Sequence, residues 1–141
     1  MSSIQDIQDE IVAEFEFFED WQDKYAHIID LGRDLPPLAD AHKTEANIVK
    51  GCQSQVWLHS EMDTEKNELL LEAESDALIV NGLVAILMRI YSRRAPDEIL
   101  SASNTFLEQI GLDRHLSMNR TNGLHSMMQE IQRRAAEIQG K

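Results

Sequence analysis

The chain has a single cysteine, Cys52. That excludes an internal disulfide, a CxxC redox pair, and any zinc or iron–sulfur site built from thiolates, since each needs two or more sulfurs. Positive charge is also scarce: 13 Lys and Arg against 25 Asp and Glu leave a formal charge of −12. Nucleic acid and anionic membrane surfaces are held mainly through Lys and Arg, so neither is an expected partner. The acidity reads most simply as a solvated surface, and otherwise as a face that steers a more basic protein. The one long apolar stretch, residues 77–91, is too short to cross a bilayer comfortably and is broken by Asn81 and Gly82. No HExxH-like ligand spacing, glycine-rich phosphate loop, internal repeat or low-complexity tract occurs, and no metal site is expected. Residues 1–16 are acidic throughout, unlike a secretory leader. Together with one unpaired cysteine, this points to a reducing cytoplasm.

With 141 residues, 43% of them hydrophobic, the chain is long enough for one domain over 1–141 with a core of its own. Ile4, Ile7, Ile11, Phe15 and Phe18 recur at helical steps and predict an amphipathic first helix. Asp20 suits the cap of a second helix carrying Trp21, Tyr25, Ile28 and Ile29, with Gly32 as its stop. Pro36-Pro37 forces an extended segment, followed by an irregular polar loop over residues 40–47. From Gln55 the period becomes two: Val56, Leu58, Ser60 and Met62 alternate with Trp57, His59 and Glu61. A turn over residues 63–67 sends residues 68–74 back as a second strand. Ser75 or Asp76 can cap the apolar helix that follows. Short helices are expected from Pro96 to Leu100 and over residues 104–110, stopping at Gly111, and the cap-rich stretch 117–123 precedes a last helix opened by His125. Two strands alone are marginal, so helices must cover one face, and the fold class is α+β with a small antiparallel sheet.

Cys52 then sits on a loop at the sheet's end, where a rigid scaffold commonly carries chemistry. Its neighbours Gly51, Gln53, Ser54 and Gln55 are a permissive backbone position and three polar side chains, not the company of a core cysteine. The residues leave open an inert buried thiol and a reactive one. A cysteine hydrolase would need an imidazole beside the thiol, and the chain offers His27, His42, His59, His115 and His125 with no local protease signature. Arg120 and Arg93 are cations that folding could bring near, and Arg120 is unexpected at a helix N-terminus, where a cation opposes the macrodipole. A binding module whose acidic face does the work, with Cys52 incidental, is the third reading.

Gly51-Cys52-Gln53-Ser54-Gln55-Val56-Trp57, preceded by Ile48-Val49-Lys50, resembles the cysteine motif of the SufE family of sulfur-acceptor proteins. Residues 21–35 resemble that family's second helix, Ser75-Asp76-Ala77 with Ile79-Val80 and Gly82-Leu83 its strand-to-helix junction, and residues 116–124 its approach to the last helix. The CsdE type of desulfurase partner shares the pattern. The resemblance implies a fold related to iron–sulfur scaffold proteins and a role that is not a stand-alone enzyme. Cys52 would take persulfide sulfur from a SufS-like cysteine desulfurase, stimulate it, and pass the sulfur to a SufBCD-like scaffold. Pyridoxal phosphate would belong to the desulfurase, and this chain would bind no cofactor. Gln53, Ser54 and Gln55 would shape the cysteine loop; Asp76 and Arg120 match positions tied to the desulfurase interface and loop support. Met118 stands where the family usually has proline, which removes a fixed φ before Arg120. Because a persulfide is readily consumed, the resting Cys52 is expected in an apolar cavity, with Gly51 as the hinge that releases it.

Overall fold

The computed structural model describes residues 3–140; Met1, Ser2 and Lys141, part of the expected single domain, lie outside the described residues. Helix α1 (Ile4–Glu16) opens on a reciprocal cap, in which Ser3 Oγ accepts the Asp6 amide and the Asp6 carboxylate accepts the Ser3 amide. Helix α2 (Trp21–Arg33) is capped as expected by Asp20, whose carboxylate accepts the Asp23 amide at 2.8 Å. Gly32 does not stop α2, which runs on to Arg33 with Asp34 as its C-cap. The glycine answers a different need: α2 crosses the buried helix α3 (Leu78–Tyr91) at backbone contact. A Cβ on Gly32 would lie 2.7 Å from the Gly82 nitrogen, and one on Gly82 would overlap the Ile28 carbonyl oxygen. Asn81 locks the crossing, donating from Nδ2 to the Gly32 carbonyl and accepting the Ser75 amide at Oδ1.

The sheet is the antiparallel pair β1 (Val56–Asp63) and β2 (Glu68–Ser75), in a register that sets Val56 opposite Ser75 and Leu58 opposite Ala73. Asp63 shapes the connecting turn by accepting the Glu65 and Lys66 amides, and Asn67 completes it at φ 53°. Val56, Leu58, Leu69, Leu71 and Ala73 are buried in the core, where β2 lies against α3. Both edges of this small sheet are occupied at several positions. On one side, Arg134 donates to the Leu58 carbonyl at 2.7 Å. On the other, Ser92 Oγ bridges the Leu71 amide and carbonyl, and Leu69 pairs with the backbone of residues 93 and 94. Covered edges leave less template for association with another chain.

The polar loop expected over residues 40–47 holds two short 3-10 turns, Asp40–His42 and Glu45–Asn47. It is tied down against the sheet's other face: the His42 ring stacks on His59 at 3.6 Å, and Lys43 lies over Trp57 while pairing with Glu74 at 3.0 Å. Glu74 also accepts the Leu38 amide, and the Val49 amide donates to the Val56 carbonyl at 2.8 Å. These ties carry the chain to Cys52 along a fixed path.

Helices α4 (Pro96–Ser101), α5 (Phe106–Ile110), α6 (Leu112–His115) and α7 (Met118–Gln139) complete the fold. Gly111 ends α5 in the left-handed region at φ 95°, as its position predicts. Helix α7 starts two turns before the expected His125. Ser117 is its N-cap and accepts the Arg120 amide at 3.3 Å, so the stretch read as an approach is the first two turns of the helix. Serine, asparagine and glycine are weak helix formers, and here packing against the Cys52 loop overrides their propensity. No described helix is long and apolar enough to cross a membrane.

Candidate functional site

Three elements meet around Cys52: its own loop, the first turns of α3 and the first turns of α7. They form a cavity of about 340 Å³, lined by Ile79, Val80 and Leu83 from α3 and by Leu124 and Met127 from α7. Cys52, Gln53 and Ser54 of the loop line it too, with Ser117, Asn119 and Arg120 from the start of α7. Cys52 is half-buried, and its thiol donates to the Gly123 carbonyl at 3.5 Å. Burial pushes the thiol pKa up, because a thiolate loses more hydration there than a thiol. A cavity does adjoin the cysteine, but polar and apolar side chains share its lining, where a wholly apolar one was expected.

The loop is braced at both ends. Gly51 adopts φ 93° and packs so closely on α7 that a Cβ would clash with Ser126 Oγ. The left-handed φ favours glycine, and a side chain here would also make Ser126 move. After the cysteine, Gln55 is held through its backbone: its amide donates to Asp76 Oδ1 at 3.1 Å, and its carbonyl accepts Ser75 Oγ at 2.9 Å and the Asp76 amide at 3.3 Å. The sequence suggested Ser75 or Asp76 as the cap of α3, but neither caps it. Ala77 holds the N-cap position; Asp76 and Ser75 bond to Gln55 at the start of β1, and Ser75 Oγ also accepts the Ala77 amide at 3.2 Å.

Of the residues singled out from the sequence, Cys52, Gln53, Ser54 and Arg120 share the cavity. Gln55 and Asp76 sit beside it, bonded to each other, and Gly51 lies behind it on α7. The Arg120 guanidinium donates to the Tyr25 hydroxyl and lies 5.9 Å from that ring's centroid, which joins α7 to α2. Arg93 borders a different depression with Glu61 and Asp63. Among the described residues no histidine lines the cavity. His27 lies against Phe15 and Phe18, His42 stacks on His59, His115 stacks on Trp21, and His125 is exposed on α7. A histidine base of the kind a hydrolase needs is thus missing from the thiol's described surroundings. Among the described residues no three His, Cys, Asp or Glu side chains gather as a metal site.

Sequence reasoning missed Gly123 and Ser126, the two α7 residues on which the loop rests. A Cβ on Gly123 would meet the Cys52 sulfur at 3.5 Å, an ordinary contact, so this position faces the thiol without strictly requiring glycine. A lone glycine in a cap-rich stretch reads as a loop signal, and only the packing shows its purpose.

The chain matches the profile of the SufE family, described as an Fe-S metabolism associated domain, over residues 9–135. It is 44% identical over 131 residues to an uncharacterised SufE-like protein of Rhizobium meliloti (strain 1021), covering 90% of this chain and 93% of that one. With an uncharacterised SufE-like protein of Rhizobium etli the identity is 45% over 131 residues, covering 90% and 88%. The solution structure of a hypothetical protein from Thermus thermophilus superposes with a TM-score of 0.78 over 96% of this chain and 97% of that one. At 15% identity that likeness concerns the fold alone.

Proposed function

The chain belongs to the SufE family of iron–sulfur metabolism, and from that premise we propose that Cys52 is a persulfide-carrying thiol loaded by a cysteine desulfurase. The observation that carries this reading is the placement of the only cysteine in the lining of a cavity that it shares with apolar side chains of α3 and α7, with no described histidine beside it. Transpersulfuration needs an accessible thiol and a partner, not a triad. The Cys52 thiolate attacks the terminal sulfur of the donor's persulfide, that sulfur's bond to the donor cysteine breaks, and the donor leaves as a thiolate. Cys52 becomes Cys52–S–S⁻, and its own thiol proton goes to solvent. The rules are those of thiol–disulfide exchange.

A cavity of about 340 Å³, lined in part by Ile79, Leu83 and Met127, leaves room for one added sulfur atom. In this reading the pyridoxal phosphate stays with the desulfurase, the protein works in the cytoplasm, and the sulfur passes on to an iron–sulfur assembly scaffold. The test is intact-protein mass spectrometry after incubation with the cognate desulfurase, pyridoxal phosphate and cysteine. Wild type should gain one sulfur, removable by reductant, and Cys52→Ser should gain none. No gain on wild type with an active cognate desulfurase would overturn the proposal.

A further inference from the structure

Sulfur can reach Cys52 only if the donor's sulfur comes within bonding distance of a half-buried thiol, so the donor protein must press against the rim of this cavity. The two charged side chains beside the cavity, both exposed, each have a partner within the chain. Asp76 is held by the Gln55 amide, and Arg120 by the Tyr25 hydroxyl and ring. The apolar groups are not. Among the described residues three large hydrophobic side chains are exposed: Phe17 at 84%, Leu78 at 56% and Met118 at 79%.

A single exposed hydrophobe such as Phe17 needs no explanation. Leu78 and Met118 differ because each stands in the chain between residues that line one cavity, and they come from two helices. Leu78 is the first residue of α3, between the cavity-lining Ala77 and Ile79. Met118 is the first residue of α7, between the cavity-lining Ser117 and Asn119. Both lie next to residues that share the cavity with Cys52, and both expose hydrocarbon whose removal from water favours association. Methionine, unbranched and polarisable, adapts readily to a partner's surface.

We infer that Leu78 and Met118 are the apolar anchors on which the persulfide-bearing donor protein docks, while Asp76 and Arg120 hold the cysteine loop and helix frame beneath them. The inference rests on the sulfur-acceptor reading and adds the residues by which the donor is held. The test compares wild type, Leu78→Ser/Met118→Ser and Phe17→Ser. Affinity for the cognate cysteine desulfurase is measured by calorimetry, and sulfur loading by mass spectrometry, once from the desulfurase and once from inorganic tetrasulfide. With tetrasulfide the Cys52 thiolate takes one sulfur and trisulfide leaves, so no docking is involved.

The double variant should bind the desulfurase about tenfold or more weakly and load slowly from it, yet load from tetrasulfide at the wild-type rate. Phe17→Ser should match wild type throughout. Binding of the double variant within about twofold of wild type would overturn the anchor assignment while leaving the sulfur-acceptor role in place. A parallel loss of tetrasulfide loading would locate the damage in the Cys52 site and also overturn it. Wild type that loads from tetrasulfide but never from the desulfurase would sink the sulfur-acceptor reading itself.

Discussion

At Cys52, burial works against ionisation and no described neighbour reverses it: no described imidazole lines the cavity, and Arg120 is turned to Tyr25. A raised pKa leaves less thiolate at neutral pH, and thiolate is the reactive form. Alkylation by iodoacetamide should therefore be slower than for a cysteine peptide at pH 7. Its rate should also climb with pH through a midpoint above the ordinary thiol value of about 8.5. A midpoint below that value would show an activating group at the sulfur. Adding the desulfurase should accelerate labelling if docking draws the loop out of its cavity. The glycines of the site should respond unequally to alanine. Gly51→Ala meets both a left-handed backbone and a clash with Ser126, so thermal unfolding should show a loss of roughly 1 kcal/mol or more. At Gly123 a Cβ makes an ordinary contact of 3.5 Å with the sulfur, so Gly123→Ala should keep the melting temperature near wild type. The first of these positions was legible because glycine directly precedes the cysteine. The second was not, because nothing local says that a glycine at 123 faces a thiol 71 positions away.

Between elements, the tightest constraint is the α2–α3 crossing. A Cβ on Gly82 would overlap backbone of Ile28, which cannot swing aside as a side chain can. Gly82→Ala should force the helices apart and cost about 1–3 kcal/mol, read as a lower denaturation midpoint with little change in m-value. An unchanged midpoint would mean that the crossing opens freely. Asp76 acts between elements too, through the Gln55 amide at the start of β1. Asp76→Ala should loosen the strand end that anchors the cysteine loop and raise the Cys52 labelling rate several-fold, while leaving the fold intact. Hydrophobic periodicity placed the first two helices, both strands and the buried helix near their observed positions, because each buries one continuous face. Junction roles were harder to read. Ser75 and Asp76 look like helix caps in one dimension, and it is the proximity of Gln55 in three dimensions that recruits them elsewhere. Gly32 looks like a stop for the same reason, since its partner Gly82 lies on another helix.

For the molecule as a whole, two electrostatic effects compete. The formal charge of −12 strains the compact state through self-repulsion, which salt relieves. Ion pairs such as Arg89 with Glu14 and Glu10, or Lys43 with Glu74, oppose that strain, and salt weakens them. These pairs are partly exposed, and solvent screens such pairs to a small contribution, so relief of repulsion should win at neutral pH. Raising salt from about 0.05 M to about 0.5 M at pH 7 should increase the melting temperature by a few degrees, on the order of 1 kcal/mol. As pH falls the net negative charge shrinks, so the same addition should do much less. At still lower pH the ion pairs themselves are lost. The bond from Arg89 holds the Glu14 carboxyl below its ordinary range, and Lys43 and the Leu38 amide hold Glu74 there despite partial burial. A depressed folded pKa contributes stability that is present above the unfolded value and lost as pH falls through the folded one. The melting temperature should therefore drop once pH passes below the ordinary carboxylate value of 4.5, and Glu14→Gln should flatten part of that drop. A melting temperature that falls with salt at pH 7 would reverse the ranking, because it would mean that the ion pairs outweigh the self-repulsion.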